Sequence, residues 1–355
     1  MGLQEKEEKS AVNHAAIDLG TKESQVCIRS ADGTILVEKK YLTKQLGQLM
    51  KSWEPSRVVM ETSSEAFRIA DQAKAAGHEV RVVRSTLSKQ LGVGDRGVKT
   101  DQRDARKLSE VSCRIDLPTV HVPSEQAREM RALIRSRELL IETRTKSVNH
   151  VRGWLRTQLL SIRRGSTETL PKRIRERLET EQRTLPAHIE QVLTVIDALN
   201  TQATASMKTI SKLANSSALC RRLMTVPGVG PITAVSFFAA IDDVTRFQHA
   251  HRVQSYLGLT PGEDSSSTRE RRTGITKAGP ASLRRVLIQA AWVAFRFRPN
   301  DPMVRWATRI EKRRGKHIAV VALARKMAGV MFALWRDQTN YSPLQAAIAP
   351  VAAQT

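Results

Sequence analysis

The stretch Ala15–Ala16–Ile17–Asp18–Leu19–Gly20–Thr21 decides how the first third of the chain is read. Three apolar residues, an acid and a Leu-Gly-Thr turn make a short strand that ends abruptly. Val26–Arg29 and Ile35–Lys39 follow as strands joined by a hairpin turn at Ala31–Asp32–Gly33. Leu42–Trp53 suits a helix, and Arg57–Val58–Val59–Met60–Glu61 is a fourth strand closing on a carboxylate. A helix over Glu65–Ala76 is stopped by Gly77, and Glu79–Val83 supplies a fifth strand. Three strands, a helix, a strand, a helix and a strand predict an α/β domain with a mixed sheet.

An acid at the end of an apolar strand must face solvent, a partner or a metal, because burying it unpaired is too costly. Asp18 and Glu61 are two such acids. A second pair lies in Val98–Lys99–Thr100–Asp101–Gln102–Arg103–Asp104–Ala105–Arg106–Lys107–Leu108, after a turn containing Gly92, Gly94 and Gly97. Thr100 or Asp101 can cap a helix there, and the spacing puts Asp101 and Asp104 on one helical face. Taken alone, the pair reads as an ordinary helix start with a solvated charged face. Together, the four carboxylates form an all-oxygen donor set suited to two hard cations, Mg²⁺ or Mn²⁺. Two such metals clamp the attacking and leaving oxygens of an in-line phosphoryl displacement.

The whole chain bounds the partner. Its 58 Lys and Arg against 35 Asp and Glu leave a net charge of +23, which points to a polyanion, nucleic acid before a membrane surface. The basic residues are spread over several segments, unlike a juxtamembrane cluster. Three distant cysteines, Cys27, Cys113 and Cys220, suit neither a disulfide frame nor a zinc site. Met1–Ser10 lacks an apolar run, and His317–Trp335 is interrupted by Arg325 and Lys326, so a buried helix is expected there. These features predict a cytoplasmic, nucleoid-associated protein with no membrane span.

The set Ile17–Asp18–Leu19–Gly20–Thr21, Met60–Glu61–Thr62 and Lys99–Thr100–Asp101–Gln102–Arg103–Asp104–Ala105 resembles the DEDD signature of the insertion-sequence-110 transposases, the Piv/MooV-like group. The resemblance implies a ribonuclease-H or RuvC-like first domain. It also implies that Asp18, Glu61, Asp101 and Asp104 are catalytic metal ligands.

From Ser124 to about Leu160 the chain reads as one long helix. Met130, Leu133, Ile134, Leu140, Ile141, Val148, Val151, Leu155 and Leu159 recur at three- and four-residue steps. Arg128, Arg131, Arg135, Arg137, Arg144, Lys146, Arg152 and Arg156 fill much of the rest. After a break at Gly165 and a turn at Pro171, a second helix runs through Ile189, Val192, Leu193, Ile196, Leu199, Ile210 and Leu213. This is a helical hairpin or coiled coil, a spacer or dimerisation element whose arginines can also meet phosphates. In the family it resembles, such a coiled coil helps assemble protomers and contacts a guide RNA.

Leu223–Met224–Thr225–Val226–Pro227–Gly228–Val229–Gly230–Pro231 reads as a helix, a Pro-Gly-x-Gly turn and a helix starting near Pro231. Gly228 and Gly230 can let backbone N–H groups approach a phosphate, as in a helix–hairpin–helix element; the alternative is a tight interhelical turn with no ligand. Further on, Pro261–Thr268 is a polar stretch with Ser265, Ser266 and Ser267 in a row. Such a composition is usually a flexible linker. Here it is crowded by Arg269, Arg271, Arg272 and Lys277, with Arg284 and Arg285 following. A serine among such cations is placed to meet a phosphodiester. Gly258–Leu259–Thr260–Pro261, Gly274–Ile275–Thr276–Lys277–Ala278–Gly279 and Leu283–Arg284 are similar to the second signature of the same family. By that spacing the family's nucleophile falls on Ser266, although Ser267 stands where the family carries glycine. Ser265, Ser266 and Ser267 therefore remain alternatives.

The sequence thus divides into a RuvC-like domain over 11–121, a coiled-coil helical hairpin over 122–216 and a mainly helical transposase domain over 217–345. Residues 1–10 and 346–355 read as flexible tails. The resemblance implies a bridge-RNA-guided DNA recombinase acting on donor and target DNA, a homodimer that forms a tetramer at synapsis. Its catalytic residues would be Asp18, Glu61, Asp101, Asp104 and Ser266, with Gly228, Gly230, Arg271, Arg272, Lys277 and Arg284 on nucleic acid. The rival readings are a Holliday-junction-type metal nuclease using water, and a non-catalytic basic nucleic-acid binder.

Overall fold

Ala15, Ala16 and Ile17 are all fully buried, so β1 (Asn13–Asp18) is covered on both faces and sits inside a sheet. The computed structural model describes residues 12–86, 101–266 and 269–343, with backbone alone for 263–266 and 269–273. Gly92, Gly94, Gly97, Lys99, Thr100, Ser267 and the tails 1–10 and 346–355 lie outside the described residues. The chain divides into two compact units, with the boundary between Pro123 and Ser124.

In the first unit β2 (Glu23–Arg29), β3 (Ile35–Leu42), β4 (Ser56–Glu61) and β5 (Glu79–Val83) join β1 in the order β3-β2-β1-β4-β5. The β1–β2 and β2–β3 pairs are antiparallel, and the β1–β4 and β4–β5 pairs parallel. This is the mixed sheet expected from the element order, and it fits the ribonuclease-H-type fold that the resemblance implies. The helix expected over Leu42–Trp53 is shorter, a 3₁₀ turn at Thr43–Gln45 leading into α1 (Leu46–Met50).

Side-chain alternation sorts the sheet into two faces. Ala15, Ile17, Val26, Val58, Met60 and Val82 pack with Leu46 and Met50 of α1 and with Ile69, Ala70 and Ala73 of α2 (Ala66–Ala75). Ala16, Val59 and Val83 face the other way, against Leu108 and Val111 of α3 (Asp101–Arg114). At 2% exposure, truncation of Leu108 to alanine costs about 2–5 kcal/mol.

The second unit is mostly helical. Two long helices, α4 (Glu125–Thr157) and α6 (Ala187–Ser216), pack antiparallel. Val148, Val151 and Leu155 near the end of α4 meet Ile189, Leu193 and Ile196 near the start of α6. Met130 and Ile134 share a core with Ile210 and Ala214. Pro171, read from sequence as a turn, instead opens a helix, α5 (Leu170–Thr180), whose Leu170, Ile174 and Leu178 close the far end of the pair. Proline is tolerated in a first helical turn because its missing N–H would have no intrahelical acceptor there.

The remaining core is built by α7 (Ala218–Leu223), α8 (Pro231–Ile241), α9 (Ala250–Tyr256), α10 (Ala281–Phe297), α11 (Pro302–Arg314) and α12 (Lys316–Arg336). By length and composition α12 could cross a membrane, but Leu323, Met327, Met331 and Phe332 are fully buried in this core. It is the buried helix expected from its Arg325 and Lys326. Between α9 and α10, β6 (Pro261–Ser266) and β7 (Arg269–Ile275) form a two-stranded antiparallel sheet. The serine-rich stretch is thus a paired hairpin, where its composition suggests a linker; inter-strand backbone hydrogen bonds override weak strand propensity.

Candidate active site

Asp18 and Glu61 are the last residues of β1 and β4. Those strands are parallel neighbours, with Ile17 beside Met60, so the next step along the ladder sets Asp18 beside Glu61 on the same face. Neighbouring strands lie about 4.8 Å apart. The turn after Asp18 is fixed locally. Gly20 is crowded so closely by the Glu23 carbonyl that a Cβ would lie 2.2 Å from that oxygen. The Thr43 hydroxyl donates to the Gly20 carbonyl at 2.7 Å and lies 2.7 Å from the buried Ser24 hydroxyl.

The helix α3 brings the other two acids to that end. Ser112 Oγ lies 2.8 Å from His14 Nδ1, and Ser109 Oγ donates to Cys27 Sγ at 3.2 Å. Cys27 pairs with Ala16, so walking back along α3 leads forward along β1. Eight residues from Ser112 to Asp104 cover about 12 Å of helix. Four residues from His14 to Asp18 cover about 13 Å of strand. Asp104 therefore comes level with the strand ends that carry Asp18 and Glu61. It is buried, at 8% exposure, and no described side chain pairs with its carboxylate. Asp101, one turn earlier, is exposed and lies 3.8 Å from Lys40 Nζ.

A clamp not foreseen from sequence holds the helix in place. Glu38 of β3 accepts from Arg106 Nε at 2.8 Å and from Gln102 Nε2 at 2.9 Å. The Arg106 guanidinium holds the Glu38 carboxyl below the usual carboxylate range, and Gln102 adds to the effect. The available signal was an acid in an otherwise lysine-rich edge strand, but its partner depends on the sheet register.

Tested against a divalent cation, the donors fit in chemistry. They are hard carboxylate oxygens gathered toward one end of one sheet face, and one of them, on Asp104, has no described side-chain partner. They do not converge: among the described residues, no three His, Cys, Asp or Glu side chains sit close enough together to hold a metal ion.

The second group of predicted residues lies in the other unit. Ser266 ends β6 opposite Arg269, and the register sets Arg271 opposite Asp264 and Arg272 opposite Glu263. The base of the hairpin is cinched by backbone. Thr276 N–H donates to Thr260 O at 2.9 Å and Lys277 N–H to Gly258 O at 3.2 Å. Gly258, Lys277 and Gly279 all take positive φ there. Arg284 has an internal task, since its Nη1 donates to the carbonyls of Leu257 and Ala278 at 3.0 and 2.8 Å.

The two turn glycines differ. Gly228 takes φ +82°, and a Cβ on it would lie 2.2 Å from the Ala290 carbonyl oxygen of α10. Its glycine is required by close backbone packing within the core. Gly230 precedes α8 with nothing within 4 Å of a built Cβ, so its surroundings are open. Among the arginines of α4, Arg131 donates to the Ala239 carbonyl near the end of α8, and Arg144 binds Glu168 and Asn200. Arg135, Arg152 and Arg156 are exposed.

Comparison with known proteins bears on both regions. Residues 15–159 match the family model of the DEDD transposases of IS110, and residues 220–304 match that of the IS116/IS110/IS902 family transposases. A probable family 20 transposase of Pseudomonas aeruginosa is 28% identical over 339 residues, covering 94% of this chain and 99% of the relative. The transposase for insertion sequence element IS1111A of Coxiella burnetii is 30% identical over 253 residues, 68% of each chain. The transposase for element IS1328 of Yersinia enterocolitica is 26% identical over 334 residues, 92% of this chain and 97% of that one. With the carboxylates at the strand ends inside one matched region and the serine hairpin inside the other, the chain belongs to the IS110/IS116/IS902 family of insertion-sequence transposases.

Proposed function

We propose that this transposase cleaves and rejoins DNA strands through a covalent serine–phosphodiester intermediate, with Ser266 as the nucleophile and Asp18, Glu61, Asp101 and Asp104 as the metal-binding set. The observation that carries this reading is the placement of Asp18, Glu61 and the buried Asp104 at one end of one sheet face. A carboxylate with no described side-chain partner, beside two strand-end acids, is a place where a cation can be held. Bound there, Mg²⁺ or Mn²⁺ would supply Lewis acidity toward the phosphoryl oxygens and neutralise the developing charge.

The chain's own residues supply the rest. The Ser266 oxygen attacks phosphorus, forming an oxygen–phosphorus bond as one phosphorus–oxygen bond of the strand breaks. The hydroxyl proton passes to a carboxylate, and the departing sugar oxygen takes up a proton. Attack of another strand's free hydroxyl on the phosphoserine reverses these bonds and joins the strands. Arg271, Arg272 and Lys277, following or facing the serine in sequence, contribute positive charge toward the phosphate, as do the open Gly230 turn and the exposed arginines of α4.

The serine and the carboxylates belong to different compact units. A serine of one protomer meeting carboxylates of another calls for at least a dimer, and for a tetramer when donor and target DNA are synapsed. The α4–α6 pair acts as the coiled coil of that assembly, and the Pro227–Pro231 turn as a helix–hairpin–helix-like grip. A structured guide RNA selects donor and target, and the protein works on nucleoid DNA in the cytoplasm.

The test is a denaturing gel of the protein with end-labelled DNA carrying its element end. The expected result is a protein-linked DNA band that Ser266→Ala and Asp104→Asn abolish and Ser265→Ala retains. Cleavage by the wild type without any protein-linked band would establish water as the nucleophile and overturn the proposal.

A further inference from the structure

The second unit carries a charge feature that neither the carboxylates nor the serine hairpin uses. From Arg296 to Lys316 the chain holds eight Lys and Arg but only two acids, Asp301 and Glu311. All eight cations are exposed, and none is in an ion pair among the described residues. Asp301 is already engaged, accepting from the Met303 N–H at 2.8 Å and from the Tyr341 hydroxyl at 2.9 Å.

On α11, Arg305, Arg309 and Lys312 recur at i, i+4 and i+7, which aligns them on one face. The opposite face, Met303 and Ala307, is buried in the core. Like charges four residues apart on a helix repel, so Arg305 and Arg309 disfavour each other, and Lys312 alone, in the last turn, gains from the negative end of the helix. The repulsion reaches inward as well. Lys326 of α12 lies over the Trp306 ring at 4.7 Å, where burial, with Arg309 adding to it, pushes its ammonium below the usual lysine range.

We propose that this stripe is a docking surface for the sugar–phosphate backbone of duplex DNA, with Arg305, Arg309 and Lys312 each meeting a phosphate. From Arg305 to Lys312 the helix rises about 10.5 Å. Phosphates of one strand succeed each other every 3.4 Å or so along a duplex axis, and the stripe matches about three such steps. A row made only of cations recognises phosphate and not base edges, so the contact is independent of sequence. The inference needs only the DNA substrate that a transposase has. It stands apart from the serine chemistry, because binding can be read in a protein that does not cleave.

The experiment uses the full chain carrying Ser266→Ala, with and without Arg305→Gln, Arg309→Gln and Lys312→Gln together. Binding to a fluorescent duplex of arbitrary sequence, and in parallel to a transfer RNA, is followed by anisotropy over a salt series. For duplex DNA the triple glutamine variant is expected to bind at least tenfold more weakly at low salt. Its plot of log affinity against log salt should be shallower by about 2 to 3, as three lost phosphate contacts require. Its melting temperature should be unchanged or higher, which separates lost contact from lost fold. Unchanged DNA affinity and slope would overturn the proposal, and so would a loss confined to the RNA.

Discussion

Asp104 is the residue on which the carboxylate site turns. Asp104 is buried as a residue, at 8% exposure, and no described side chain pairs with its carboxylate. Replacing it with asparagine removes the charge and keeps the shape. In chelator, Asp104→Asn is expected to stay within about 1 kcal/mol of the wild type, measured by thermal or urea unfolding. Adding Mg²⁺ or Mn²⁺ should raise the melting temperature of the wild type and leave the variant unmoved. A variant that is less stable than that in chelator would mean that the carboxylate is satisfied within the fold. The turn glycines make a second contrast. Gly228→Ala forces a side chain into left-handed backbone and against the α10 carbonyls, and should cost about 2 kcal/mol or more. Gly230→Ala meets nothing and should cost about 0.5 kcal/mol, while weakening DNA binding if its turn receives a phosphate.

Among the elements, α3 shows how far the sequence alone could lead. The short apolar runs Ala15–Ile17 and Val58–Met60, each closed by an acid, made both strands and their terminal acids legible, because such a run is a local signal. That α3 runs back along β1, bringing Asp104 level with Asp18, depends on Ser112 meeting His14 and on Arg106 and Gln102 reaching Glu38. Those contacts join residues 64 to 98 positions apart, and no local pattern announces them. The serine hairpin is not legible as a sheet for the opposite reason. Its polar residues carry weak strand signal, and its pairing is fixed by backbone around Gly258, Lys277 and Gly279. Gly228 and Arg284 stood out in the sequence as candidate phosphate contacts, yet their geometry also gives each a job inside the fold, against α10 and across the hairpin base. The α3 clamp makes its own prediction. Because Glu38 titrates below the ordinary carboxylate range when folded, its stabilisation is complete above that range and is lost as pH falls through its lowered value. Acid titration of unfolding should show that loss in the wild type, and Glu38→Gln should flatten it.

For the whole molecule, the excess of cations lies mostly in the second compact unit. The four acids proposed as the metal set occupy the first unit, while the serine hairpin and the α11 stripe belong to the second. A protein that only gripped nucleic acid would gain from losing four acids at its strand ends and helix start, whereas the proposed metal-dependent strand transfer uses them. Family membership and the placement of Asp18, Glu61 and Asp104 agree on the enzyme. The serine nucleophile is tested most directly by peptide mapping of the trapped protein–DNA product by mass spectrometry after nuclease digestion. The expected product is a nucleotide remnant linked through phosphate to the peptide containing β6, on Ser266. Cleaved DNA with the β6 peptide unmodified, or a remnant on any residue outside that hairpin, would contradict it.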